Sequence, residues 1–304
     1  MTYTPLRHAT SRHIPIRGLQ YHTLIWGDLA ASTPQQPALV LMHGWMDVAA
    51  SFQFVVDALC QAEGENRCIL AADWRGFGLT DTPASDSYWF PDYLADLDAL
   101  LDTLSPSAPV DLLGHSMGGN VVMSYAGLRP ARVRRLINLE GFGLPRTQPA
   151  QAPKRMLQWL NELKEPASLR SYDSVQAVAD RLLKNNPLLT PDKAAWLAPH
   201  WSAPAADGRW HILGDPAHKR VNPVLYQVDE VLETWKLITA PLLWVEGDQT
   251  DVAKWWGHRY PRSDFDARLA VVPQAQRARL SPCGHMLHHD QPQALASHLQ
   301  RFLA

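Results

Sequence analysis

Ser116 stands in the pentapeptide Gly114-His115-Ser116-Met117-Gly118, between an apolar run at 109–113 and a segment, 120–128, in which Val121, Val122, Tyr125 and Ala126 recur at helical spacing. The pattern G-x-S-x-G at a strand-to-helix junction is a nucleophile elbow, a turn so sharp that the serine hydroxyl is pushed out of the backbone. Such crowding leaves room only for small groups at Gly114, Gly118 and Gly119. The helix that starts just after Ser116 aims its unpaired N–H groups at any oxyanion formed there. The chemistry this allows is acyl transfer, and it needs a base. A serine hydroxyl attacks carbonyl carbon poorly until a histidine takes its proton, and that histidine needs an acid to orient it. Of 13 histidines, His285 is singled out because it follows a strand and Gly284 in a loop near the C-terminus. In a parallel sheet that loop lies at the same edge as the elbow. His288 and His289, beside the final helix, are expected to face away. His115 is expected to pack beneath the elbow, and His43 to fix its own loop by hydrogen bonds.

These groups come together only if the surrounding elements carry them to one edge. Residues 13–27 alternate apolar and polar side chains on either side of Arg17 and Gly18, which predicts an antiparallel hairpin. The unbroken apolar runs at 38–44 and 68–74 suit strands buried on both faces, with a helix between them at about 49–59. Leu94, Leu97, Leu100 and Leu101 form a helical stripe within 90–104. Strand patterns return at 133–145, 240–247 and 277–286, and a closing helix is expected at about 293–302. Strand and helix in alternation imply parallel strands crossed by helices. From 145 to 237 the alternation stops, and amphipathic helices at 154–163 and 174–183 stand among prolines and tryptophans. That stretch is too long for a loop and is read as an inserted helical cap, splitting the chain into a core of 1–144 and 238–304 and a cap of 145–237.

A net charge of −2 over 304 residues gives no electrostatic reason to expect nucleic acid or an anionic membrane as partner. No apolar run approaches the ~18 residues of a membrane span. The first thirty residues carry Arg7, Arg12 and Arg17 without a continuous apolar core, so no signal peptide is expected and a cytoplasmic location is. Cys60, Cys68 and Cys283 are odd in number and lack metal-ligand spacing, which argues for a reducing compartment and against a disulfide framework.

Four segments in order, HGW (43–45), DWRGFGLTD (73–81), GHSMGG (114–119) and GHMLHHDQP (284–292), resemble those of the α/β-hydrolase fold family. The resemblance covers nearly the whole chain outside the cap. It implies an α/β fold with a mostly parallel central sheet of about eight strands flanked by helices. It also implies an oxyanion hole built from the backbone N–H groups of Met117 and Trp45. The acid is left between two positions. The family commonly places it after the seventh strand, three residues beyond a glycine, but Gly247 plus three is Thr250, flanked by Asp248 and Asp251. Some members carry it at the end of the sixth strand, where Glu140 stands. A carboxylate ending an apolar strand needs a compensating partner such as a histidine N–H, which favours Glu140 over Asp251.

The expected activity is that of a serine carboxylesterase acting on small to medium hydrophobic esters through Ser116, His285 and Glu140 or Asp251. No metal or organic cofactor is required, and a monomer or homodimer is expected. A hydrolase of carbon–carbon bonds, a thioesterase or lactonase, and a cofactor-free haloperoxidase would share the elbow and the histidine. A non-catalytic ligand receptor on the same scaffold is a further alternative.

Overall fold

The computed structural model describes residues 2–63 and 67–304. The chain opens with the hairpin of β1 (Thr10–Ile16) and β2 (Leu19–Trp26), whose turn uses positive φ at Arg17 (48°) and Gly18 (83°). Then come β3 (Leu39–Met42), α1 (Gln53–Glu63), β4 (Ile69–Ala72), α2 (Phe90–Leu104), β5 (Val110–His115), α3 (Met117–Leu128) and β6 (Val133–Leu139). After a long excursion the chain returns with β10 (Leu242–Gly247), α8 (Ala253–Trp256), α9 (Arg262–Leu269), β11 (Ala275–Leu280), α10 (Leu287–Asp290) and α11 (Pro292–Leu303). The eight long strands form one sheet in the order β1-β2-β4-β3-β5-β6-β10-β11. All neighbours from β4 to β11 pair parallel, whereas β2 runs antiparallel to both of its neighbours, β1 and β4.

Period-two alternation splits the sheet's apolar side chains between two layers. Val40, Met42, Leu70, Ala72, Leu112, Leu136 and Trp244 share one buried cluster with residues of α2, α3 and α9. Leu39, Leu41, Ile69, Ala71, Leu113, Ile137 and Val245 share the other with α1 and α11. Both faces are covered, which is why these strands read as unbroken apolar runs.

The excursion between β6 and β10 contains α4 (Ala152–Glu162), α5 (Val175–Asn185), α6 (Pro191–Trp201) and α7 (Val228–Lys236). Three short strands, β7 (Ser171–Tyr172), β8 (Ser202–Pro204) and β9 (Trp210–Ile212), add a second antiparallel sheet that the helical reading of 145–237 did not foresee. Two- and three-residue strands are too short to register as periodicity. The excursion is tied to the loop after β4: Gly78 N–H donates to Leu213 C=O at 2.9 Å and Asp215 N–H to Gly76 C=O at 2.8 Å. His218 completes the tie, stacked between Phe77 and Tyr88 with ring centroids 3.7 and 3.4 Å away. Among the described residues, no helix is long and apolar enough to cross a membrane. Cys68 and Cys283 are buried thiols outside any disulfide.

Candidate active site

Because parallel strands all end at one edge, the loops after β3, β5, β6 and β11 converge. Ser116 begins the turn after β5 at φ 52° and ψ −113°, backbone angles that cost an L-residue energy unless its surroundings enforce them. Two contacts enforce them here. Ser116 N–H donates to Leu139 C=O at 2.8 Å, and the first turn of α3 presses into β3. A Cβ at Gly118 would lie 2.3 Å from the Met42 carbonyl oxygen, so only glycine lets helix and strand meet this closely. Serine is a favoured N-cap residue, yet Ser116 makes no side-chain cap bond to α3. Its hydroxyl is turned instead to the loop after β11, where His285 Nε2 lies 3.0 Å away.

The other ring nitrogen of His285 meets Glu140. Its Nδ1–H donates to Glu140 Oε2 at 2.6 Å, which leaves Nε2 with the lone pair that accepts the Ser116 proton. Glu140 follows β6 at φ 54° and its side chain is fully buried. Two further donors satisfy the carboxylate: Gly247 N–H to Oε1 at 2.7 Å and Thr250 Oγ1–H to Oε2 at 2.9 Å. Burying a carboxylate is costly, and three donors converging on it offset that cost.

The two other acids considered point elsewhere. Asp251 is exposed and its Oδ1 accepts the N–H of Ala253, the first residue of α8, at 3.0 Å. Asp248 accepts from Cys283 N–H at 2.8 Å and from the Ser281 hydroxyl. Thr250 stands where the common pattern has its acid, and its hydroxyl reaches the carboxylate delivered from β6 instead. The departure from the pattern at Thr250 was the signal in the sequence for this arrangement.

The loop after β3 supplies the wall on the other side of Ser116. A Cβ at Gly44 would come within 3.1 Å of the Ser116 Cβ, so the backbone leading to Trp45 runs directly beside the serine. The same loop takes φ 57° at Met46. His43 fixes it: Nδ1–H donates to Gly44 C=O at 2.7 Å and Nε2 accepts Trp74 N–H at 2.9 Å. Met117 is the first residue of α3, so its N–H is one of the helix's unpaired donors.

Beneath the elbow, His115 is buried and its Nε2–H donates to the His285 carbonyl at 2.8 Å. Burial drives its pKa well below the ordinary histidine value, with the neighbouring histidines adding to the effect. His288 and His289 lie in the short α10, beside the start of the closing helix, and both are buried. Both rings reach Ser51 Oγ, at 2.9 and 3.0 Å.

Sequence periodicity gave no reason to single out Trp255. Its ring meets His285 edge to face at a centroid distance of 4.6 Å and lies 6.5 Å from Phe142, while 43% of the residue remains exposed. Trp45, 51% exposed, follows Gly44 in the loop that runs beside Ser116. Large aromatic rings left in solvent beside a serine–histidine pair are suited to receive an apolar group.

Residues 37–292 match the model of the family described as alpha/beta hydrolase fold. A cis-3-alkyl-4-alkyloxetan-2-one decarboxylase of Shewanella oneidensis is 25% identical over 281 residues, spanning 88% of this chain and 82% of that protein. Among solved structures, the thioesterase domain from the curacin biosynthetic pathway aligns with a TM-score of 0.81 at 24% identity, over 96% of this chain and 99% of that one. An esterase from Mycobacterium tuberculosis aligns with a TM-score of 0.71 at 20% identity, over 99% of this chain and 92% of that one. At these identities the two structures speak to the fold alone.

Proposed function

Since the chain belongs to the α/β-hydrolase fold family, we propose that it is a serine hydrolase cleaving carboxylic esters of small to medium hydrophobic substrates. The observation that carries this reading is the continuous hydrogen-bond chain from Ser116 through His285 to the buried Glu140. In this mechanism Ser116 Oγ attacks the ester carbonyl while its proton passes to His285 Nε2. Glu140 holds the imidazole in the Nδ1–H tautomer and balances the imidazolium that forms. The N–H groups of Met117 and Trp45 receive the oxyanion. The tetrahedral intermediate collapses as His285 gives its proton to the leaving alkoxide, which departs as alcohol. Water, deprotonated by His285, then attacks the acyl-Ser116 carbonyl, and the acid is released with Ser116 reprotonated.

Trp255 and Trp45 support an apolar acyl or alcohol group, and the near-neutral chain charge supports an uncharged one. The 145–237 excursion serves in this reading as the cap that covers the site. The decisive experiment is release of p-nitrophenol from acetate, butyrate and octanoate esters by the wild type and by Ser116→Ala. Equal rates from the two proteins would remove the reading.

A second reading is favoured by the Shewanella relative, whose name specifies an oxetan-2-one, a four-membered cyclic ester. Incubation with a 3,4-dialkyl oxetan-2-one separates the possibilities by product. Ring hydrolysis gives a 3-hydroxy acid, whereas decarboxylation gives an alkene and carbon dioxide.

A further inference from the structure

Behind the serine–histidine pair lies a second cluster of buried polar groups that the proposed reaction does not use. Asp47, His115 and His288 are 3%, 2% and 0% exposed, and each offers one metal-ligating atom within 4.8 Å of those of the other two. The hydrogen bonds around them fix where the protons sit. Ser51 has a single hydroxyl proton and donates it to Asp47 Oδ2 at 2.8 Å, so it accepts from the Nε2–H groups of His288 and His289 at 2.9 and 3.0 Å. The same Nε2 of His288 lies 3.6 Å from Asp47 Oδ2, so it is the nitrogen His288 turns to the cluster, and an ion there would send its proton to the unpartnered Nδ1. His115 spends its Nε2–H on the His285 carbonyl, so its Nδ1 is a bare lone pair. Neither Nδ1 has a hydrogen-bond partner among the described residues. The two rings lie 4.7 Å apart at an interplanar angle of 64°.

A bare His115 Nδ1 and a His288 Nε2 that can shed its proton, beside a buried carboxylate, repel an anion and attract a cation. We propose that Asp47, His115 and His288 form a binding site for a divalent first-row transition ion, with Zn2+ as the expected occupant. Imidazole and carboxylate together suit such an ion, whereas Mg2+ and Ca2+ prefer oxygen ligands alone. Tetrahedral zinc with bonds of about 2.0–2.1 Å sets its ligand atoms roughly 3.4 Å apart, so an inward movement of about 1 Å closes the set. Ser51 Oγ or a solvent oxygen supplies the fourth position. An ion on His115 Nδ1 would strengthen the Nε2–H donor that holds the His285 carbonyl, bracing the loop from behind. The site needs no part of the ester-hydrolase reading to exist.

The test uses untagged, chelator-stripped protein incubated with one equivalent of ZnCl2 and desalted. We expect about one zinc retained per chain and a higher melting temperature than the stripped protein. X-ray absorption at the zinc edge should show nitrogen and oxygen ligands at about 2.0 Å with two imidazoles. His288→Gln and Asp47→Asn should lose the retained metal, whereas His285→Asn should keep it. The proposal is overturned by a chain that retains no zinc, by equal retention in the His288 and Asp47 variants, or by loss in the His285 variant. The last outcome would place the ion on the serine–histidine pair. Sulfur scattering at the edge, or a single imidazole, overturns it from the wild type alone, so the result does not depend on either variant folding.

Discussion

Glu140 reaches Nδ1 of His285 at 2.6 Å from the end of a strand two places away in the sheet, with β10 lying between β6 and β11. The carboxylate crosses the end of β10, and it takes the N–H of Gly247, the last residue of that strand, on the way. Acid, intervening strand and imidazole are thus one hydrogen-bonded unit, and its parts should respond very differently to substitution.

Glu140→Gln keeps the size of the side chain but favours the wrong histidine tautomer. By analogy with triad acids elsewhere, turnover should fall by about 10⁴-fold. Asp251→Asn removes an exposed charge while its amide oxygen can still accept the Ala253 N–H, and it should stay within about threefold of wild type. Steady-state kinetics on p-nitrophenyl butyrate compares them, and a larger loss in the Asp251 variant would reverse the assignment.

Thr250→Val removes one of the three donors to the Glu140 carboxylate and leaves the other two. A lost hydrogen bond to a charged group is worth about 1.5–3 kcal/mol, so turnover should drop by roughly 10- to 100-fold with KM little changed. Thr250→Ser, which restores the hydroxyl, should recover most of the loss. Failure of that rescue would mean that the methyl group, not the hydroxyl, is what matters.

Trp255→Ala opens the wall against the His285 imidazole. Removing a large apolar contact should cost octanoate esters about tenfold or more in kcat/KM, and acetate esters much less. A uniform loss across chain lengths would make Trp255 a support for His285 instead of a substrate contact.

Gly118→Ala should prevent folding or destabilise the chain by about 3 kcal/mol or more, since the new Cβ meets backbone oxygens of Met42 and His43 at 2.3 and 2.6 Å. Denaturant unfolding monitored by far-UV circular dichroism measures this. A variant as stable as wild type would show that α3 can draw back from β3 at little cost.

His218 ties the 145–237 excursion to the core, and burial lowers its pKa from the ordinary 6.5 to about 4. Its contribution is full above pH 6.5, because the ring is neutral folded or unfolded. Between pH 6.5 and 4 only the unfolded chain takes up the proton, so stability falls across that window, by about 3 kcal/mol at most. His218→Phe should flatten the decline in melting temperature from pH 7 to 4, and an unchanged slope would assign the acid sensitivity to other groups.

By itself, the sequence determined the α/β architecture, because apolar runs alternating with helical stripes admit few other packings, and the elbow pattern marked Ser116. It narrowed the histidine to His285 through chain order and left the acid between Glu140 and Asp251. That choice could not be read locally: both carboxylates follow strands that end at the same edge. Only the tertiary structure decided which of them faces the imidazole, through the positive φ at Glu140 and donors at Gly247 and Thr250 more than a hundred residues away. Trp255 and the cluster of Asp47, His115 and His288 were hidden for the same reason. Periodicity reports which face of an element is buried, whereas a site depends on which side chains meet across elements, and that is fixed when the layers pack.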